Sequence, residues 1–435
     1  MILVDEALRR RAAEDRPVRV GLVGAGFMGR GIVWQLRHAL PGMRLVAIAN
    51  RTPAKAEDAL RRAGHQATRS LRDVGDVAAC AEDGVPGVTD DPRLLCEGPH
   101  VDVLIEATGA VEHGAWVLTH AIDHGRDVVS MNVELDATVG PLLQARARAA
   151  GVLVTGCDGD QPAVQANLVR FVRGLGLTPL VCGNIKGLQD HYRTPETQRQ
   201  FAAQWGQTPE MVTSFADGTK ISMEQALVAN ALGMSIAAPG MLGPQHEGHV
   251  DDLRGYFERE VGLERLRELG GVVDYVVGAS PSPGVFVLAA NDDPEREVYL
   301  RYGKLGQGPL YSFYVPYHLT ALEAHLSAAR VALFRDDVVS PRPEAPRVEV
   351  VAHAKRDLRA GETVDGLGGF CTYGACARAD LAVGAMLPVG IAEGARLRND
   401  VARDAVLRYD DVELPEDRLV VRLRREQDAR FGAAT

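Results

Sequence analysis

At 435 residues the chain is long enough for two or three domains. A net charge of −10 argues against non-specific nucleic-acid binding, and 46% hydrophobic with 24% charged residues is an ordinary balance for a folded globular chain rather than a disordered one. No apolar run is long enough to cross a bilayer. The leading apolar residues precede Arg9–Arg11 rather than follow them, the reverse of a signal peptide, and six scattered cysteines form no C-x-x-C pair, so the expected location is the cytoplasm.

Residues 4–15 read as a helix with Ala7, Leu8 and Ala12 inward. The apolar run 18–23 reads as a buried strand. Gly24, Gly26 and Gly29 follow at G-x-G-x-x-G spacing, and an apolar helical pattern then covers 28–38. A strand before and a helix after are the context this fingerprint needs. Gly24 permits a tight turn, Gly26 lets backbone approach a pyrophosphate, and Gly29 lets helix pack on strand. The pyrophosphate is expected on the N–H groups of the helix start, around Phe27 and Met28.

The continuous apolar run 45–49 is a second parallel strand. No acid stands at its tip, where a carboxylate would hold an adenosine 2′-OH; Asn50-Arg51-Thr52 stands there instead. A guanidinium and a hydroxyl suit a 2′-phosphate, so the expected cofactor is NADP(H) rather than NAD. Residues 53–100 mix helix and loop, with a helix at 54–63. Strand 101–107 ends at Thr108-Gly109, which would line the nucleotide crevice. A helix over 114–124 leads to strand 127–130 and then to Asn132 and Glu134. Either Asn132 reaches the nicotinamide or substrate and Glu134 acts as an acid, or both cap the following helix. A helix over 139–150 and a strand over 152–155 complete this α/β segment.

Asp158 and Asp160 come next in GCDGD, then a helix at 161–175 and a strand at 180–185. Lys186, Asp190, His191, Tyr192 and Arg193 crowd the segment that leaves it, more chemistry than a connector needs. A helix over 194–206 follows. A further helix from Thr219 sets Lys220 and Glu224 at i,i+4 on a face that continues into small apolar residues. Residues 238–255 contain His246-Glu247-Gly248-His249, lack the H-E-x-x-H spacing, and read as a mobile loop over the active site. Strands are expected at 272–277, 285–290 and 298–302. An aromatic stretch over 311–318 offers Tyr317 and His318 as substrate contacts, and an amphipathic helix spans 319–333. Residues 340–346 form a proline-rich linker, and a small β-rich module starts at 348. Cys371 and Cys376 read as small buried residues rather than a zinc site.

Three sets of stretches carry a family resemblance across nearly the whole chain. VGLVGAGFMGRGIVWQL resembles the nucleotide-binding start of the homoserine-dehydrogenase-like oxidoreductases. GCDGDQPA, LTPLVCGNIKGLQD, WGQTPEM, FADGTKISMEQ and GQGPLYSFYVPYHL resemble the deoxyxylulose-5-phosphate-reductoisomerase-like (DRL) family, and AKRDLRAGE resembles its C-terminal SAF module. The resemblance implies an α/β protein with three domains. A Rossmann-type, doubly wound parallel sheet would occupy 1–155. An α+β catalytic and dimerisation domain would occupy 156–339, its last helix able to pack back on the first domain. A small β-rich SAF domain would occupy 347–435.

The same resemblance implies an NADPH-dependent isomeroreductase working as a homodimer on a small molecule. The best-known reaction of the family converts 1-deoxy-D-xylulose 5-phosphate to 2-C-methyl-D-erythritol 4-phosphate in isoprenoid supply. Rearranging a hydroxyketone needs its oxygens polarised by a divalent cation, Mg2+ or Mn2+, or by a lysine. Lys186 or Lys220 would polarise the carbonyl. Asp158, Asp160, Asp190 and Glu224 would hold the cation or move protons, and Arg193 would hold a phosphate. The alternatives are a homoserine-type dehydrogenase with no rearrangement, an enzyme of branched sugar acids or other polyhydroxylated substrates, and a nucleotide-sensing scaffold.

Overall fold

Seven short strands of the N-terminal region pair as one parallel sheet: β1 (Val18–Val23), β2 (Met43–Ala49), β3 (Arg69–Ser70), β4 (Gly87–Thr89), β5 (Val103–Glu106), β6 (Asp127–Ser130) and β7 (Val154–Gly156), in the order β3-β4-β2-β1-β5-β6-β7. The computed structural model describes residues 2–342 and 344–432; Met1, Pro343 of the proline-rich linker and residues 433–435 lie outside the described residues. Because β1 lies between β2 and β5, the winding reverses there, and a crevice opens outside the carboxyl ends of those strands.

The helices of this unit are α1 (Ile2–Ala13), α2 (Phe27–His38), α3 (Pro53–Arg62), α4 (Val74–Asp83), α5 (Arg93–Glu97), α6 (Val111–Asp123) and α7 (Val133–Ala150). Within 53–100 the sequence pattern misses β3 and β4, which are too short to show a period. The last helix begins well ahead of residue 139 because Asn132 caps it, its Oδ1 accepting from Leu135 N at 3.2 Å.

The chain divides into two units, Met1–Asp160 with Leu319–Pro343, and Gln161–His318 with Glu344–Thr435. The first unit is therefore discontinuous. Helix Ala324–Phe334 returns to it and lays Ala324, Ala328, Ala329 and Val331 into the core that holds Leu8, Leu22, Ile32, Ile105 and Val129. Its small residues let it lie close to the sheet. Arg330 on this helix pairs with Asp158 at 2.7 Å and Asp336 at 2.7 Å, and Ser327 Oγ donates to Asp158 at 3.0 Å.

The second unit is built on a mixed four-stranded sheet of β8 (Thr178–Lys186), β9 (Val272–Val277), β10 (Gly284–Ala290) and β11 (Leu310–Val315), ordered β11-β10-β8-β9. Only β8 and β9 run parallel. Helices α8 (Gln161–Gly174), α9 (Pro195–Trp205), α10 (Pro209–Ala216) and α11 (Thr219–Leu232) precede β9 in the chain, and α8 and α11 pack together and on this sheet. Residues 294–302, expected to end in a strand, form a helix instead. Asp293 accepts hydrogen bonds from Glu295 N at 3.0 Å and Arg296 N at 3.5 Å, and Pro294 fits its first turn.

The C-terminal segment pairs β12 (Val348–Ala354) with β13 (Thr372–Arg378) antiparallel and ends in helix Leu419–Phe431. Expected as a domain of its own at 347–435, it falls in the same compact unit as 161–318, because its polar backbone and side chains are satisfied there. Thr219 Oγ1 accepts from Gly374 N at 2.9 Å, Ser222 Oγ donates to Gly374 O at 3.1 Å, and Asn230 Oδ1 accepts from Arg347 N at 2.8 Å and Val348 N at 3.1 Å.

Candidate functional site

The glycine turn is shaped by close approach. Gly24 has φ +109°, a left-handed conformation beside the Ala107 carbonyl. A Cβ on Gly29 would run into the Gly24 carbonyl oxygen, so helix and strand meet only with glycine there. A Cβ on Gly26 would point into open space, leaving its backbone approachable. Gly26 is the N-cap of α2, yet no side chain caps that helix and no acid occupies its first turn. The N–H groups at its start are thus left for an anion, which is what a pyrophosphate requires.

The tip of β2 repeats the arrangement. Thr52 precedes α3, its side chain makes no cap hydrogen bond, Pro53 takes the first turn, and no acid is present there. Arg51 and Thr52 are exposed at this second uncapped helix start. Asn50 has a different task from the one expected. Its Oδ1 accepts from Ala25 N at 3.0 Å and its Nδ2 donates to Thr52 O at 2.8 Å, stapling the glycine turn to the β2 tip.

At the ends of β5 and β6 the polar side chains are occupied by structure. Glu106 is fully buried and accepts from Thr108 N at 2.8 Å and from the Thr108 hydroxyl, which shapes the Thr108-Gly109 loop. Burial pushes its carboxyl up, opposed by the Thr108 and Asn132 hydrogen bonds. Asn132 is also fully buried, and besides capping α7 it donates to Ala110 O at 3.2 Å. Of the two roles expected for Asn132, the one the structure displays is the cap. Glu134 is buried in the first turn of α7. Beside it burial raises Asp136 to about 8, with Glu106, Glu134 and Asp160 adding repulsion and a Ser130 hydrogen bond opposing.

In the second unit the crowded segment after β8 forms a real cluster. Lys186 Nζ donates to Gln189 Oε1 at 2.7 Å and to Phe215 O at 3.0 Å, and lies 5.9 Å from the Tyr275 ring centre. Desolvation lowers its amine to about 8, against the pull of Glu224 and Asp217 toward the charged form. Gly218, at φ +95°, opens α11, and a Cβ there would strike the Gln189 amide. Glu224 is held by amides. Asn184 Nδ2 donates to its Oε2 at 2.9 Å, Gln165 Nε2 donates to Asn184 Oδ1 at 2.7 Å, and the Gln161 amide donates to both Glu224 oxygens when its nitrogen faces them. The other end of the Gln161 amide lies 3.4 Å from His318 Nε2, so His318 joins this row.

Asp190 pairs with Arg193 Nε at 3.0 Å and accepts from Tyr192 N at 3.1 Å. Lys220 stands one turn before Glu224 on α11 and is partly exposed. Tyr317 is about half exposed.

Lys355, Tyr373 and His353 of the cluster escaped sequence reading. Lys355 and Asp217 form a buried ion pair at 2.8 Å, and Lys355 also donates to Arg193 O at 2.8 Å and Gly369 O at 2.7 Å. His191 Nδ1 donates to Asp217 O at 2.8 Å and its ring stacks on Tyr373, which stacks on His353. Lys355 had one signal, its place in the charged run KRDLRAGE, and that run otherwise resembles a solvated face.

Of the expected metal donors Asp158, Asp160 and Glu224, Asp160 is partly buried and the other two are already engaged. Asp158 is buried and committed to Arg330 and Ser327, and Glu224 already accepts from the side-chain amides around it. Such donor groups turn the carboxylate lone pairs away from a cation. The loop 238–255 is not a free lid either. Asp274 accepts from Leu242 N at 3.1 Å, Gly243 N at 2.8 Å and Tyr275 N at 2.8 Å, and residues 253–260 are helical. His246 faces Asp252 and the His249 carbonyl oxygen, and His249 faces Asp251. All six cysteines are buried free thiols.

Residues 24–155 match the family model of the homoserine dehydrogenase NAD-binding domain, and residues 159–324 match that of the oxidoreductase DRL catalytic domain. Homoserine dehydrogenase of Mycobacterium tuberculosis strain H37Rv is 30% identical over 135 residues, 30% of this chain and 26% of that enzyme. The Pseudomonas aeruginosa PAO1 homoserine dehydrogenase is 29% identical over 160 residues, 35% of this chain and 32% of that one. The match thus spans about a quarter to a third of the length of these curated relatives. A solved homoserine dehydrogenase from Thiobacillus denitrificans aligns over 90% of this chain and 98% of its own at 16% identity, with a TM-score of 0.41, too low to carry an argument.

Proposed function

From matches to the homoserine dehydrogenase NAD-binding domain over 24–155 and to the oxidoreductase DRL catalytic domain over 159–324, we propose that the chain is an oxidoreductase of this kind that interconverts a carbonyl and an alcohol on a small polyhydroxylated substrate with NADP(H), Lys186 passing the proton. The carrying observation is Lys186 itself. It is an amine held by Gln189 and Phe215 O, with its proton loosened to about 8 by desolvation, the range in which an acid–base group works at neutral pH. The nicotinamide cofactor, when bound, supplies or accepts the hydride. The N–H groups at the start of α2 would hold its pyrophosphate, and Arg51 and Thr52 its 2′-phosphate; both helix starts lack a cap and an acid.

In its finer form the proposal is a reductoisomerase of a sugar phosphate such as 1-deoxy-D-xylulose 5-phosphate, as a homodimer. Arg193, already oriented by Asp190 through Nε, would offer its terminal nitrogens to the phosphate. Lys186 would protonate and polarise the oxygen of the substrate carbonyl, and Glu224 and Lys220 would flank it. No step needs Asp158, Asp160 or Glu224 as metal ligands. A simple dehydrogenase is the second reading, favoured by the engagement of Asp158 and Glu224.

The test is a screen of sugar phosphates and branched sugar acids with NADPH or NADP, followed by NMR of the product. A rearranged carbon skeleton supports the reductoisomerase, and an unrearranged one leaves the dehydrogenase. Turnover that survives Lys186→Met undiminished overturns both.

A further inference from the structure

The second helix face of the nucleotide-binding unit carries chemistry that hydride transfer does not use. Glu97 ends α5, and His120 and His124 stand at i,i+4 at the end of α6. One ligand atom from each of the three lies within 4.8 Å of the others, and they are the one such His/Cys/Asp/Glu group among the described residues. His120 Nε2 is 3.0 Å from Glu97 Oε1. Two ligands on a tetrahedral zinc ion, with bonds of about 2.0–2.1 Å, stand about 3.3 Å apart, so this pair needs only a slight opening to admit an ion.

The rings are held as ligands usually are. His124 Nδ1 donates to His120 O at 2.8 Å. That bond fixes the tautomer and leaves Nε2 with its lone pair, the arrangement by which metal-bound histidines are oriented. Trp116 stacks on His120 at 4.8 Å between ring centres and only 12° from parallel, which fixes the second ring. His120 and His124 then face each other at 4.4 Å. The end of α5 that carries Glu97 is also held in place, since Arg126 donates to the backbone carbonyls of Cys96 at 2.9 Å and Glu97 at 3.3 Å.

We propose that Glu97, His120 and His124 bind one divalent transition-metal ion, Zn2+ by preference, with water completing its coordination. Two imidazoles and one carboxylate suit zinc, copper or nickel better than magnesium or calcium, which take all-oxygen sets. The ion would tie the end of α5 to the end of α6. In a parallel α/β unit the carboxyl end of a crossover helix lies at the amino ends of the strands, away from the crevice. The site is therefore an accessory one, and nucleotide binding does not depend on its ligands.

The experiment uses the full-length, tag-free chain after chelator treatment. Zn2+ is titrated against a chromophoric chelator, and Co2+ is added separately as a spectroscopic probe. We expect one ion per chain and the intense visible bands of four-coordinate cobalt. His124→Ala should weaken Zn2+ by more than the roughly 10–100-fold that losing an outer-shell partner costs, and Glu97→Gln should weaken it by about ten-fold or more. Both positions are exposed, so each variant should keep the wild-type metal-free melting temperature and NADPH affinity. Wild type that takes up no more Zn2+ than His124→Ala, or cobalt spectra that remain six-coordinate, overturns the proposal.

Discussion

On the proposed reading, Lys186 and Arg51 are where single side chains decide chemistry. An amine lowered to about 8 is charged below that pH and neutral above it. Reduction, which needs its proton, should slow as pH rises through about 8, and oxidation should speed up over the same range. Lys186→Arg, with no titration in that window, should flatten both profiles, and Lys186→Met should lower kcat by about 10²–10⁴; steady-state rates against pH in both directions check this. The same group bears on stability. Between about 8 and its ordinary 10.5 the unfolded chain holds the Lys186 proton and the folded chain does not, so the contribution of this amine rises with pH across that window. Arg51→Ala should weaken NADPH by about 10-fold and leave NADH nearly unchanged, measured by fluorescence titration of both. The glycine turn was legible because Gly24 and Gly29 answer to a local steric demand. The duty of Asn50 was not, and Asn132 stayed open between a cap and a ligand contact, since an amide that staples or caps reads the same in sequence as one that meets a ligand.

The elements were legible where a pattern persisted. Strand 18–23 and the helix starting at Thr219 stand where the residues put them. Residues 298–302 misled because Val298, Tyr299 and Tyr302 favour strands, while the cap that decides the matter, Asp293, lies ahead of them. The segment 238–255 misled for a related reason. Glycines suggested mobility, but its anchor, Asp274, sits on β9, inside a run of valines. Asp274→Ala should cost about 2–4 kcal/mol, since buried backbone N–H groups lose a shared acceptor, and should open cleavage near residues 241–248. Urea unfolding and limited proteolysis would show both effects. Burial raises the carboxyl of Asp274 to about 6, against the hydrogen bonds it accepts. The folded state therefore holds a proton that the unfolded state releases from about 4, and this carboxyl's contribution declines as pH rises from about 4 to 6.

At the scale of the molecule the linker at 340–346 suggested an autonomous tail, and the buried Lys355–Asp217 pair argues otherwise. No local pattern could reveal it, because its partners come from the two separate segments of the second unit. Lys355→Met should destabilise the protein by about 3–5 kcal/mol by stranding the Asp217 carboxylate. Lys355→Met combined with Asp217→Leu should recover much of that, as thermal melts of the single and double variants would report. A chain cut at residue 343 should fail to give a folded second unit, visible as lost near-ultraviolet circular dichroism.

Helix Ala324–Phe334 belongs to the first unit but leaves the ribosome only after all of 161–318 has emerged. Synthesis therefore cannot fold this protein strictly from its N-terminus, although domains ordinarily do so. Until that helix arrives, Leu22, Ile105 and Val129 lack one layer of their core. Nascent chains arrested at residue 318 should expose a sticky sheet face and bind hydrophobic dyes or holdase chaperones, and chains arrested far enough beyond 334 for that helix to clear the exit tunnel should not.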